Sequence, residues 1–325
     1  MKKRNYLILS LLCGSLINLW CTTEVVAQQD AQFTQYMYNG LYYNPAFAGK
    51  ENGYHFSALH RTQWLGYNAP SGGGNGINTQ LLTAAGRIAN TNLGFGLNFV
   101  NDDIGPTANQ EVNVSLGYHL KIGRGVLSLG ASGGFFSSTI KYDELNPVNP
   151  DPLLPASGRE SQINFNVGGG ALYDQGNFYL GLSSRHINEP DFDFGEGLFG
   201  NQLRNHSYLL AGYRVRTFGQ FSFEPNLLLK TVSLDNFSYD ISVIATHNDK
   251  ISGGLAFRGE ESVSVLFGYS LLRDNSLRLG YAFDLVIGGV EAKAPTSHEF
   301  MLAYQLPTVT RDIQRVIQRT PRFRF

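Results

Sequence analysis

The chain has 325 residues, with 25 Lys and Arg against 26 Asp and Glu, for a formal net charge of −1. Charged residues make up only 16%, and 37 glycines, 13% aromatics and small polar residues fill the gap. Such a balance is foreign to a disordered chain, which has few aromatics and a high net charge, and it gives no electrostatic reason to expect nucleic acid. Beyond residue 27 no uncharged apolar run approaches the roughly 20 residues of a spanning helix, which argues against a helical membrane protein.

The first 27 residues read as a signal peptide. Lys2, Lys3 and Arg4 form a basic start, Leu7 to Trp20 an apolar stretch, and Val25-Val26-Ala27 a small-residue cleavage site ahead of Gln28. Both cysteines, Cys13 and Cys21, lie within it, preceded by Leu12 and Trp20 where a lipoprotein signal needs a small residue. Cleavage therefore leaves a chain with no disulfide, no thiolate metal site and no cysteine nucleophile. Such a chain suits the bacterial envelope.

Residues 28–50 form a separate N-terminal segment. Its core, DAQFTQYMYNGLYYNPAFAG from Asp30 to Gly49, is dense in aromatics and Asn and lacks strand alternation. Preceding the first strand, it is expected at the periplasmic mouth or inside a lumen. There it would act as a plug, a partner-binding segment or a structural lid.

From residue 51 to 306 the dominant signal is alternation with a period of two. Leu93, Phe95, Leu97 and Phe99 alternate with Gly94, Gly96 and Asn98; Val112, Val114, Leu116 and Tyr118 alternate with Asn113, Ser115 and Gly117. The same holds for Phe237 to Val243, Leu277 to Leu285 and Phe300 to Tyr304. Each run sets one face in an apolar medium and the other among polar groups. A soluble sandwich would carry many charges on its outer faces. Here the second face is Gly, Ser, Asn and Ala, which suits the lumen of a transmembrane β-barrel with lipid outside. Phe237, Tyr239, Tyr269, Tyr281 and Phe283 would then sit in interfacial girdles.

Expected strands fall at 53–61, 77–87, 91–101, 109–121, 125–141, 162–173, 177–186, 206–217, 220–231, 236–247, 250–258, 262–272, 276–287 and 297–306. The count is about fourteen, within the range of antiparallel up-and-down outer-membrane barrels. All the long connections (62–76, 142–161, 187–205 and 288–296) follow odd-numbered strands, and those after even-numbered strands are mostly tight. Long loops outside and short turns in the periplasm is the outer-membrane rule, so both termini are expected in the periplasm. The tail 307–325 is basic. Arg311, Arg315 and Arg319 recur every four residues beside Ile313, Val316 and Ile317, a short amphipathic helix pattern that could dock a periplasmic partner or lie at the headgroups.

Chemical motifs are absent. Gly72 to Gly76 lacks the Lys-Ser/Thr of a phosphate loop and reads as a loop tip. The seven histidines show no metal-ligand spacing, and Ser297-His298-Glu299 is better explained as a strand start. Asp102-Asp103 and the loop 146–152 lack an ordered calcium-ligand pattern. Gly133-Gly134 and Gly168 to Gly170, inside strands, mark bulges or close backbone approach. No catalytic, metal or cofactor residue is assigned.

Several stretches carry a family resemblance. Gln29 to Phe33 with Gln35-Tyr36-Met37, and then Tyr43-Asn44-Pro45-Ala46-Phe47-Ala48-Gly49, resemble the N-terminal signature of the PorP/SprF membrane proteins of the type IX secretion and gliding machinery of Bacteroidota. Arg61-Thr62-Gln63-Trp64, Asn101 to Thr107 and Ser297 to Leu302 resemble later motifs of that family, while Ala31 and Gly40 stand where it often has Pro. The resemblance implies a non-enzymatic outer-membrane barrel that supports secretion or surface anchoring of a cargo, such as a gliding adhesin, bearing a type-B C-terminal sorting domain. It also implies periplasmic type IX partners and a peptidoglycan-linked one. Phe33, Tyr36, Tyr43, Asn44 and Pro45 in the signature, with Arg311, Arg315 and Arg319 in the tail, are the candidate partner-binding residues. The alternative is a passive porin or small-molecule transporter using the same barrel with an open lumen.

Overall fold

The computed structural model describes residues 30–306 except 52, 68–75, 146–156, 195–198, 218–219, 235, 273 and 290–292. The signal peptide and the basic tail, with Arg311, Arg315 and Arg319, lie outside the described residues.

The described chain opens with a 3-10 turn at Tyr36–Tyr38, one α-helical turn at Gly40–Tyr43 and a 3-10 turn at Pro45–Phe47. Strands follow: β1 (Tyr54–Gln63), β2 (Ile77–Arg87), β3 (Leu93–Ile104), β4 (Thr107–Ile122), β5 (Gly125–Lys141), β6 (Arg159–Asp174), β7 (Phe178–Arg185), β8 (Asp191–Phe194), β9 (Phe199–Gln202), β10 (His206–Tyr213), β11 (Val215–Arg216), β12 (Phe221–Val232), β13 (Asn236–His247), β14 (Ile251–Arg258), β15 (Ser262–Leu271), β16 (Leu277–Val286) and β17 (Thr296–Leu306). Sequential antiparallel pairing runs from β1 to β7, then β7 to β10, β10 to β12 and on to β17, which pairs back to β1. The result is a closed barrel of 14 strands with no free edge. No helix among the described residues is long and apolar enough to cross a membrane.

The burial pattern is that of a soluble protein turned inside out. Along β4, Glu111, Asn113, Ser115 and His119 are buried while Val112, Val114, Leu116 and Tyr118 are exposed. Along β13, Asp240 and Ser242 are buried between exposed Tyr239, Ile241 and Val243. In water such a surface would be untenable; in a bilayer it is the one that costs least. Phe237 and Tyr239 near one end and Tyr269 near the other are exposed on the wall, where interfacial aromatics belong.

The turns explain which end is which. Asn248 and Asp249 both adopt positive φ, 54° and 52°, and join β13 to β14 as a tight hairpin. Every connection of this end is short, whereas the opposite end carries the long ones after β1, β5, β7 and β16. By the outer-membrane rule the long loops face outside.

Two expectations need correction. The connection 187–205 is not a plain loop: β8 and β9 form a hairpin within it, stabilised through tertiary contacts rather than local alternation. Phe192 and Phe194 bury against Phe136 and Leu203. Gln162 on the lumen face of β6 contacts the Asp193 carbonyl and accepts from its N–H at 3.1 Å, and Asn164 donates to the Asp191 carbonyl at 2.7 Å. The hairpin thus folds back into the mouth. The second correction concerns the termini. The last strand ends at the short-turn end, but Asp30 sits at the opposite end, beside Arg185 and His206 at the loop ends of β7 and β10.

An arginine on the lipid face tests the inside-out assignment. Leu116→Arg, near the centre of the apolar belt of β4, is expected to cost about 2–4 kcal/mol of unfolding free energy in phospholipid vesicles. Ile122→Arg, at the turn end of the same face, should cost about 0–1 kcal/mol by the same depth dependence. Equal losses in urea unfolding would contradict the bilayer placement.

Candidate functional site in the barrel lumen

Residues 30–50 run through the lumen. Their hydrogen-bond partners lie all round the barrel: on β1, β3, β4, β6, β7, β10, β12, β13, β16 and β17. Only a chain inside the ring can touch so many strands. It starts near the loop end and leaves near the turn end, where Lys50 pairs with Asp174 at 2.8 Å and Arg87 donates to the Gly49 carbonyl at 3.1 Å.

The first stretch, residues 30–35, is held by charge. The Asp30 carboxylate takes hydrogen bonds from Tyr208 at 2.6 Å, His186 Nε2 at 2.8 Å and Arg185 at 3.0 Å, with His206 at 3.5 Å. Arg185 also pairs with Glu111 and stacks 4.2 Å over the Tyr42 ring. Burial alone would raise the Asp30 pKa; Arg185, with His186 and His206, outweighs it and holds the carboxyl well below the usual range. Further along, Lys230 donates to the Gln32 side chain at 2.9 Å and pairs with Asp240, itself paired with Arg258. On the far wall, Glu299 accepts the backbone N–H groups of Thr34 and Gln35 at 2.8 and 2.9 Å, and the Thr34 hydroxyl donates to Asp284 at 2.9 Å. Arg61 ties these two acids together at 2.7 and 3.2 Å. Buried charges persist only where they are paired; Asp284 and Glu299 each meet both Arg61 and the chain's own N-terminal segment.

The middle stretch is aromatic. Phe33, Tyr42, Tyr43 and Tyr208 form a chain of edge-to-face rings with centroids 4.9–5.2 Å apart. The Tyr36 hydroxyl reaches Ser242 at 3.1 Å.

The last stretch, Asn44 to Gly49, is locked by shape. Gly94, Gly117, Gly130 and Gly170 are successive cross-strand partners on β3, β4, β5 and β6, so they form one straight groove. A Cβ at Gly94 or Gly117 would strike the Ala48 carbonyl; one at Gly130 would strike the Pro45 and Ala46 backbone; one at Gly170 would strike the Asn44 amide. The Asn44 side chain donates to the Ala171 and Leu182 carbonyls at 3.0 and 3.1 Å and accepts from Ala46 N–H at 2.9 Å, capping the 3-10 turn. Aspartate could not make the two donations. His119 Nε2 donates to the Ala48 carbonyl at 3.0 Å, while its Nδ1 lies 2.7 Å from Ser128.

The structure therefore places Phe33, Tyr36, Tyr43, Asn44 and Pro45 together inside the barrel, all buried. Their contacts are intramolecular. Of the glycine row only Gly170 was singled out from sequence, within Gly168 to Gly170; the Asp30 pocket and the Arg61–Asp284–Glu299 triad were not anticipated. Arg61 and Glu299 do lie in stretches noted for resemblance. Below the plug, a cavity of about 770 Å³ opens at the turn end, lined by Tyr38, Lys50, Asp174, Arg214, Glu224 and Arg278 among others. Among the described residues no group of three or more His, Cys, Asp or Glu could hold a metal ion.

The profile of the type IX secretion system membrane protein PorP/SprF matches residues 25–304, the plug and the barrel up to two residues before the end of β17. The chain belongs to the PorP/SprF family. No curated protein matches it in sequence. Among solved structures it is similar to the toluene transporter TbuX of Ralstonia pickettii, at 11% identity and a TM-score of 0.52, covering 82% of this chain and 93% of that one. The outer membrane protein Omp33 of Acinetobacter baumannii aligns at 9% identity and a TM-score of 0.44, over 79% of this chain and 100% of that one. At such identities the likeness to TbuX concerns the fold alone. This PorP/SprF member is an outer-membrane β-barrel.

The groove predicts a steric phenotype. Gly130→Leu should lift the 44–49 stretch at a cost of about 1–3 kcal/mol, the range of overpacking. In planar bilayers its conductance should approach that of a chain lacking residues 30–49, while the native barrel shows no large stable opening. Ala131→Leu, on the outer face, should leave conductance as it is. A large native conductance unchanged by the deletion would contradict a plugged lumen.

Proposed function

We propose that this barrel is a non-enzymatic component of the type IX machinery that supports secretion or surface anchoring of a cargo protein through the cargo's type-B C-terminal domain. The observation that carries the reading is the filled lumen. Residues 30–50 cross the bore with aromatic rings, ion pairs and an interlocked backbone, which leaves the two ends as the working surfaces in this reading. This weighs against the passive porin and favours a docking role. Membership of the PorP/SprF family supports the link to secretion.

In this reading the outer end receives cargo. The connections 62–76, 142–161, 187–205 and 288–296 leave and re-enter the barrel at that end, and the β8–β9 hairpin packs there against β5 and β6. The periplasmic end meets the rest of the machine, including a peptidoglycan-bound partner. Strand β17 ends at that side, and the basic tail with Arg311, Arg315 and Arg319 would extend from it as a dock. Residues 1–27 would be removed as the signal peptide, leaving 28–50 as the plug, 51–306 as the barrel and 307–325 as the tail. Of the signature residues, Tyr36, Tyr43, Asn44 and Pro45 would then serve partners indirectly, by keeping the barrel shut, and Phe33 by shaping its outer end.

Excising residues 145–157 tests the outer surface and spares the β5 and β6 pairing. Cargo should leave the cell surface and appear in the medium, with the barrel still showing heat-modifiable mobility. Unchanged surface retention in an intact barrel would sink the loop assignment.

A further inference from the structure

The two ends of the plug are held by different physics. Residues 44–49 are threaded against a glycine groove and can leave only if the wall deforms. Residues 30–35 contact the wall largely through hydrogen bonds and ion pairs to side chains of β7, β10, β12, β16 and β17. Among the described residues Gly280 abuts the Gln35 side chain, but no row of glycines receives their backbone.

What receives residues 30–35 is a built pocket. At one end Arg185, His186, His206 and Tyr208, all buried, converge on one carboxylate. At the other, Glu299 accepts two consecutive backbone N–H groups and Asp284 accepts a hydroxyl. Between them Lys230 offers an N–H to an amide oxygen. This pattern reads a short peptide: a carboxylate, a side-chain acceptor two residues on, and main-chain donors four and five residues on. Buried cations of this kind demand an acid, but nothing in the wall demands that the acid be the chain's own.

We propose that the outer half of the lumen is a peptide-binding cup, specific for a short segment bearing a carboxylate at its leading end, which residues 30–35 occupy in cis. The interlocked stretch 44–49 forms its floor, so exchange of the occupant leaves the barrel closed to ions. The cup lies at the loop ends of β7 and β10, beside the β8–β9 hairpin that packs on β5 and β6, so the competing segment would come from an exported protein. The cup is independent of the anchoring reading: it would hold for any exported partner, and cargo anchoring through the loops alone would not need it.

The test uses the chain from residue 28, which has no cysteine, with Ala31→Cys as a reporter. The probe is the heptapeptide Asp-Ala-Gln-Phe-Thr-Gln-Tyr, a copy of residues 30–36. Saturating peptide should speed maleimide labelling at position 31 by about tenfold or more, and the same peptide with Asn for Asp should need about tenfold higher concentration. A fluorescent copy should bind Asp30→Ala about tenfold more tightly than the native chain, since the cis carboxylate no longer competes. Barrel integrity is read from heat-modifiable mobility, and the labelling arm stands if Asp30→Ala does not fold. No acceleration of labelling by the peptide overturns the cup. Equal effects of the Asp and Asn peptides overturn carboxylate recognition, and ion conductance appearing on peptide addition overturns the closed floor.

Discussion

Lipid on the outside is the constraint from which the rest of this molecule follows. A wall whose outer side chains must be apolar has, with a period of two, an inner face free to be polar, and closing the wall into a ring gathers those polar faces around one narrow bore. Charges in that bore are partly removed from water and must find partners. Several of them find each other, as Asp240 finds Lys230 and Arg258. Others are completed by the N-terminal segment. Asp30 supplies the anion that Arg185, His186 and His206 surround, and the backbone of Thr34 and Gln35 supplies donors to Glu299. The plug is part of the charge balance of the wall.

A gradient of mechanism runs down the bore. The outer third relies on ion pairs, the middle on aromatic edges, and the inner third on backbone seated against glycine. Charge networks tolerate an exchange of partner more readily than interlocked backbone does, so the outer third is where the occupant can change. That ordering agrees with the family's place in secretion, since the exchangeable part faces the loops and the fixed part faces the periplasm.

Much of the architecture was legible in the sequence. Alternation such as Val112, Val114 and Leu116 against Asn113 and Ser115 located strands without tertiary information, because lipid enforces the pattern on every strand. Loop lengths then fixed the polarity of the barrel. The site was less legible, for physical reasons. Arg61, Asp284 and Glu299 lie far apart in sequence and meet only because β1, β16 and β17 are neighbours in a closed ring. Gly94, Gly117 and Gly130 stand out in no sequence pattern, and only register joins them to Gly170, read from sequence as a bulge or close approach, in one groove. The β8–β9 hairpin owes its existence to Phe136, Gln162 and Asn164 on other strands. The sequence leaves residues 28–50 at the periplasmic mouth or in the lumen, because strand parity puts Tyr54 at the short-turn end yet says nothing about how far the preceding chain climbs back through the lumen.

The central claim is that this barrel works by holding another protein. The most direct measurement is a tagged purification from native outer membranes in mild detergent, with mass spectrometry of what accompanies the barrel. The account predicts stoichiometric recovery of a large surface protein that includes its C-terminal domain. A barrel that purifies alone, from cells in which such proteins are abundant at the surface, would contradict it.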